Sequence, residues 1–258
     1  MLRTDNTKGD RDVNSHEGRV AIVTGASKGI GQEVAEKLAK HGARLVLFDL
    51  DDCDETLRHI AATGGTATSI RGDVSSERDW GRVRDEVRQR YRRADILVNN
   101  AAIYPFATIE DLDPDLFRRV LRVNLEGPYL GARTFAPLMA ENRWGRIVNI
   151  ASNSIATNLA GLSHYMASKM GVIGLTRGLA NELADRGITV NVVAPAITNT
   201  PGTSGMPRDI IDAVWNQQAI KRFAVPQDIA GPIVFLTSED AAFVTGQTVS
   251  VDGGMMKL

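Results

Sequence analysis

Six short apolar runs stand out against a polar background: RVAIVT (19–24), RLVLFD (44–49), DILVNN (95–100), GRIVNIA (145–151), ITVNVVA (188–194) and QTVSVD (247–252). Each reads as a buried strand. The stretches between them follow helical spacing, as in GQEVAEKLAKHG (31–42) and DEVRQRYRR (85–93). Strands alternating with helices imply right-handed crossovers and a parallel sheet covered on both faces, so the pattern predicts an α/β fold with a single doubly wound domain. No internal repeat or Pro/Gly/Ser linker divides the chain. Residues 1–17 are polar and precede the first strand, which predicts a flexible tail before a domain spanning 18–258. In 195–208, PAITNTPGTSGMPR, three prolines and two glycines interrupt any helix; with the short amphipathic run through Trp215, residues 196–220 predict a mobile flap.

Composition narrows the function classes. The chain has 258 residues, 43% of them hydrophobic and 24% charged, enough for one substantial core. A net charge of −1 argues against a nucleic-acid partner. No apolar run approaches the roughly 18 residues of a membrane span, and the polar start lacks the apolar centre of a signal peptide, so a soluble, cytoplasmic protein without a membrane partner is expected. The lone cysteine, Cys53, excludes an intrachain disulfide framework and a cysteine zinc site, and histidines at 16, 41, 59 and 164 have no paired ligand spacing; no metal is expected. The basic stretch RVRDEVRQRYRR (82–93) reads as the solvated face of a helix.

The first strand runs directly into TGASKGIG (24–31), placing Gly25, Gly29 and Gly31 at the entry to a helix. Glycine there lets the backbone approach a pyrophosphate, which the helix N-terminus attracts. The second strand ends at Asp49, where a carboxylate can accept hydrogen bonds from adenosine ribose hydroxyls and repel a 2′-phosphate, so NAD is favoured. Lys28 pulls the other way, since a cation beside the loop could meet that phosphate; Asp49 weighs more because it opposes the phosphate directly. SHYMASKM (163–170) sets Tyr165 and Lys169 one helical turn apart on the same face. A free phenol is only about one part in a thousand ionised at pH 7. A neighbouring ammonium, together with the positive charge of oxidised nicotinamide, favours the phenolate, and lowering its pKa by roughly three units corresponds to about 4 kcal/mol.

TGASKGIG, NNAA (99–102), VN (123–124), Ser152, YMASK (165–169) and VTGQTVSVDGG (244–254) resemble, in order, the short-chain dehydrogenase/reductase family over about residues 18–254. The resemblance implies a Rossmann-type domain with a parallel sheet of about seven strands and a catalytic set of Asn124, Ser152, Tyr165 and Lys169. Ser152 would hold the substrate oxygen at the C-terminal end of its strand, with Ser154 as a nearby rival that the family spacing passes over. The backbone at Asn124 would anchor a water linking Lys169 to solvent, and Lys169 would also hold the nicotinamide ribose. Further cofactor contacts are implied at Ser27, Lys28 and Ile30 in the glycine loop, at Asp73 and Val74 in the GDV after the third strand, and at Asn100 and Ala101. Pro195, Thr198 and Thr200 would meet the nicotinamide end. Ala102 and Ala196 stand where the family usually has glycine, which implies an altered pocket shape.

Within the family, AAIYPF, NRWGRIVNIAS, HYMASK and AFVTGQTVSVDGG are similar to bacterial NAD-dependent secondary alcohol dehydrogenases such as 1-phenylethanol dehydrogenases. The expected activity is interconversion of a hydrophobic secondary alcohol and its ketone, with Tyr104, Ser152, Tyr165 and Trp215 on the small-molecule substrate. Ile103, Ile155, Leu159, Leu162, Ile197 and Met206 are expected to complete an apolar wall, while Arg208 and Lys221 read as solvent-facing. A 3-oxoacyl thioester reductase and a non-catalytic NAD(H)-sensing protein are the alternatives. The family resemblance also implies a homotetramer, and helices expected at 114–141 and 163–186 carry surplus apolar residues, including Phe117, Leu121, Leu130, Leu175 and Leu179.

Overall fold

The computed structural model describes residues 15–157, 159–206 and 208–257. Seven parallel strands lie in the order β3-β2-β1-β4-β5-β6-β7. They are β1 (Val20–Thr24), β2 (Arg44–Asp49), β3 (Thr66–Arg71), β4 (Ile96–Asn99), β5 (Gly145–Ile150), β6 (Ile188–Pro195) and β7 (Thr248–Val251). Helices α1 (Gly29–Lys40), α2 (Asp54–Ala62) and α8 (Pro226–Leu236) cover one face. Helices α3 (Glu77–Tyr91), α5 (Gly127–Glu141) and α6 (Ser163–Leu183) cover the other. The α4 helix (Pro114–Leu121) precedes α5, and α7 (Arg208–Gln217) precedes α8.

Alternation along β1 shows why the strands are apolar throughout. Ala21 and Val23 join the α1/α8 cluster, whereas Val20 and Ile22 join the α3/α5 cluster. With helices on both faces neither parity can be polar. On the second face Trp80 meets Phe48 and Phe135 edge-on, at ring separations of 4.9 and 6.1 Å. Each such buried side chain contributes about 1.5–3 kcal/mol through removal from water.

All six predicted strands are present within a residue or so of their predicted limits. The seventh, TATSIR at 66–71, sits at the sheet edge with alternating half-buried and exposed positions, so it lacks an apolar run. The helices expected at 114–141 and 163–186 are present, but the first is interrupted by a π-turn at Arg122–Glu126. Leu130 is buried in the core and is not surplus surface, unlike Phe117. Residues 1–14 of the expected tail lie outside the described residues, and near its end the chain is anchored at His16. His16 is buried, its Nε2 lies 2.9 Å from Thr237 Oγ1, and its backbone N–H donates to the His41 carbonyl at 2.9 Å. Polarity concealed this anchor, because a histidine is buried only when its ring atoms find partners.

Candidate active site

Strand order turns back between β1 and β4, with the β1 connection running outward to β2 and the β4 connection running to β5. A crevice opens there beyond the carboxyl ends of the strands. It holds a cleft of about 660 Å³.

The glycine loop forms the floor at one end. Gly25 has φ +65°, and a Cβ there would stand 2.8 Å from Asn100 Nδ2 and 2.9 Å from the Ala101 Cα. A Cβ on Gly31 would lie 2.0 Å from the Gly25 carbonyl oxygen, so this glycine permits close packing beneath the cleft rather than lining it. Thr24 Oγ1 accepts from the backbone N–H groups of Asn100 and Ala101 at 2.9 and 3.0 Å. Asn100 Nδ2 donates back to the carbonyls of Thr24 and Gly25, which ties the end of β4 to the loop. The N-cap of α1 is Lys28, whose side chain caps nothing, so the helix presents uncapped N–H donors to the cleft.

Asp49 at the end of β2 is held rigidly: Oδ2 accepts from the Ser27 N–H at 2.9 Å and Oδ1 from the Asp51 N–H at 3.0 Å. Lys28 Nζ lies 3.0 Å from Asp51 Oδ2. Asp73 Oδ1 accepts from the N–H and hydroxyl of Ser75, both at 2.8 Å, and Val74 packs against Gly127 at the head of α5. Ile30, Ala101, Ala102, Pro195 and Ala196 also line the cleft. Close backbone approach, uncapped helix donors and a fixed carboxylate fit a dinucleotide: the loop would take the pyrophosphate and Asp49 the adenosine ribose.

The other end carries the titratable groups. Ser152 follows β5 and caps a 3₁₀ turn at Asn153–Ala156, its hydroxyl accepting from the Ser154 N–H at 3.1 Å. Tyr165 and Lys169 project from the first turns of α6. Burial pushes the Tyr165 phenol up to about 12, outweighing the opposing effect of the neighbouring Ser152 hydroxyl. Burial pulls Lys169 down to about 7, while its Nζ donates to the Ile150 carbonyl at 2.7 Å and lies 5.5 Å from the centre of the Tyr165 ring. In the chain alone the tyrosine pKa is not lowered, because desolvation opposes both charges; the expectation counted the charge of oxidised nicotinamide as well. Ser154 has a buried hydroxyl without a partner among the described residues.

Asn124, Trp215 and Ile155 stand apart from the cleft. Asn124 is buried in the π-turn, its Oδ1 accepting from the Ile103 N–H at 2.9 Å and its Nδ2 donating to the Ile103 carbonyl at 2.8 Å and to Ser168 Oγ at 3.2 Å. Its side chain thus clamps the loop carrying Tyr104. Trp215 is corrected as a lining residue: it stacks on Phe223 at 5.4 Å, while Val214 and Met206 of the same segment reach the cleft. Ile155 packs against the cluster around Val172 instead of lining the cleft.

Tyr104 crosses the opening, its ring edge-on to Tyr165 at 6.0 Å and its hydroxyl against Gly202. His164 supports that loop through a 2.9 Å contact of Nε2 with the Pro105 carbonyl. The segment expected as a flap closes toward the glycine loop, with Thr200 beside Gly29 and Thr203 Oγ1 donating to the Thr198 carbonyl at 2.6 Å. Ile103, Leu159, Leu162 and Ile197 join the wall as expected. Arg208 pairs with Asp212, and Lys221 donates to the Asn216 carbonyl; neither lines the cleft. Arg119, Arg122 and Val123 do line it and escaped the sequence reading. Their signal is helical spacing, because 119 precedes 123 by one turn in the VN motif.

A strand-order switch, a glycine-floored crevice and a Ser–Tyr–Lys cluster define a dinucleotide-dependent oxidoreductase. A family profile described as enoyl-(acyl carrier protein) reductase matches residues 25–256, and the chain belongs to the short-chain dehydrogenase/reductase family. It is 38% identical over 238 residues to a cis-4-hydroxycyclohexanecarboxylate dehydrogenase from Sinomonas cyclohexanicum, covering 92% of this chain and 96% of that protein. It is 34% identical over 242 residues to the 3-oxoacyl-(acyl-carrier-protein) reductase FabG of Thermotoga maritima, covering 93% and 98%. A solved structure of a candidate NAD(P)-dependent gluconate 5-dehydrogenase from Beutenbergia cavernae, with NADP bound at low occupancy, matches with a TM-score of 0.88 and 38% identity over 94% of this chain and 98% of that one. A nicotinamide cofactor is thereby supported. Among the described residues no helix is long and apolar enough to cross a membrane.

Proposed function

We propose that the protein is an NAD(H)-dependent oxidoreductase interconverting a hydrophobic secondary alcohol and its ketone. The convergence of Ser152, Tyr165 and Lys169 at the aliphatic and aromatic end of the cleft carries this reading. Bound nicotinamide would supply the hydride acceptor or donor. Ser152 holds the substrate oxygen, Tyr165 exchanges the hydroxyl proton, and Lys169 provides the positive charge that favours its phenolate. The backbone at Asn124 would anchor a water linking Lys169 to solvent, while its side chain holds the loop at Ile103. Tyr104 and the flap exclude water from the substituent, whose burial contributes roughly 25 cal/mol per Å² of apolar area.

Asp49 supports NAD as the coenzyme, and Asp49→Ser is expected to improve NADP use relative to NAD. The substrate test is a competition with NADH among an aryl alkyl ketone, a 2-oxo acid of similar size and a 3-oxoacyl thioester, with the ketone giving the highest kcat/KM. Preference for either anionic or thioester substrate overturns the assignment. The thioester alternative draws on the FabG relative and on Arg119 and Arg122 at the cleft. Dinucleotide binding without turnover of any substrate would instead support the sensor reading.

The proposed assembly is a cytoplasmic homotetramer. Leu121, Leu125, Tyr129 and Leu175 form one apolar groove, and Phe235 and Phe243 expose a separate apolar face. A tetramer with three two-fold axes needs at least two distinct faces, and these two supply the apolar surface for them. Light scattering at the monomer mass would refute it.

A further inference from the structure

Asp49 alone leaves Lys28 unexplained, because this cation also lines the cleft beside the adenosine end. Its position is set by another carboxylate. Lys28 Nζ lies 3.0 Å from Asp51 Oδ2, across the mouth between the glycine loop and the β2–α2 connection. Asp51 is itself fixed by its backbone, since its N–H donates to Asp49 Oδ1 at 3.0 Å. Asp49 in turn accepts from the Ser27 N–H with its other oxygen. One chain of contacts therefore runs from the glycine loop through Asp49 and Asp51 to Lys28. Nearby charges leave this pairing intact: Arg71 faces Asp52, at 3.9 Å, and donates to the Leu50 carbonyl.

We propose that Asp51 is a specificity-determining residue for the coenzyme, acting by holding Lys28 away from the place a 2′-phosphate would occupy. The assignment rests on the nicotinamide dinucleotide reading of the cleft. Asp49 repels the phosphate directly, whereas Asp51 withdraws a cation that lines the same end of the cleft and could compensate for it. The pair is more than half exposed, so its contact is weak enough for Lys28 to change partner when released. The hydrogen bond and charge of Asp51 raise the Lys28 pKa, in keeping with a contact between charged groups.

The experiment measures Kd for NAD and NADP by calorimetric titration on the full chain without substrate, for the wild type, Asp51→Asn, Lys28→Ala and the double variant. Asp51→Asn keeps the side-chain shape and is expected to lower the ratio of the NADP Kd to the NAD Kd by about two- to fivefold, the size of one exposed charge contact. The double variant is expected to return that ratio to within about twofold of Lys28→Ala. An unchanged ratio in Asp51→Asn overturns the proposal, as does a gain that survives loss of Lys28, which would make Asp51 a simple repulsive charge. Failure of the wild type to bind either dinucleotide overturns the cofactor reading itself.

Discussion

Replacing Lys169 by Met should make the cofactor-free protein more stable, and the size of that gain should depend on pH in a defined way. Lys169 is buried and its pKa falls from 10.5 to about 7. The unfolded chain therefore binds the extra proton between those values, so stability of the wild type rises with pH across that window. Below the folded pKa the full cost of burying the charge is present, about 5 kcal/mol for three and a half units. Methionine avoids that cost but leaves the Ile150 carbonyl without the 2.7 Å donor, a loss of about 1–3 kcal/mol. The expected net gain at pH 6 is about 2–4 kcal/mol. At pH 9 the folded lysine is neutral and the unfolded one still charged, so the gain shrinks by about 3 kcal/mol from its pH 6 value. That change is independent of the lost hydrogen bond. Urea unfolding of wild type and Lys169→Met at both pH values, without dinucleotide, measures it. A wild type more stable than the variant at pH 6 would refute the reasoning, as would an equal difference at the two pH values.

Tyr165→Phe keeps the ring contact with Tyr104 and deletes the proton-exchanging atom, so turnover should fall at least about a hundredfold while the NAD Kd stays within about threefold; retention of a tenth of the turnover contradicts the role. Burial, with the charge of His41 second, lowers the His16 pKa from 6.5 to about 4, so its contribution to stability is complete above 6.5 and is lost as pH falls through 4. The wild type should lose about 3 kcal/mol over that interval that His16→Gln does not, and parallel urea-midpoint curves for the two proteins would exclude it. A Cβ at Gly202 would stand 2.2 Å from the Tyr104 hydroxyl, so Gly202→Val should raise the ketone KM about tenfold, with recovery when Tyr104→Phe is added. An unchanged KM in the single variant would mean that Tyr104 does not wall the substrate.

Much of the scaffold was legible because both sheet faces are covered, and six strands needed uninterrupted apolar runs. The exceptions follow from the same rule. TATSIR is an edge strand like β7, but where β7 is half-buried throughout, half of the TATSIR positions are exposed, which removes the apolar signal that marked the others. His16 contributes to the fold through Thr237, far along the chain, so no local pattern reports its burial. The π-turn leaves the apolar spacing of 114–141 nearly unchanged, yet it turns Asn124 inward to clamp Ile103.

For the site, residue identity was easier to read than electrostatic state. Adjacent motifs brought Ser152, Tyr165 and Lys169 to one end of the cleft, but the sign of the pKa changes depends on everything that displaces water around them. Ile150 comes from the end of β5, Tyr104 from the β4–α4 loop and Lys169 from α6. Together they dehydrate both members of the pair. An ammonium one turn from a phenol lowers its pKa only while the ammonium remains charged, and burial pulls the Lys169 pKa down to about 7. Tyr165 therefore rests as a neutral phenol in the chain alone, suited to donate a proton to a ketone oxygen. Acting as a base on an alcohol requires additional positive charge in the same dehydrated space, which makes the two directions of the proposed reaction respond differently to pH.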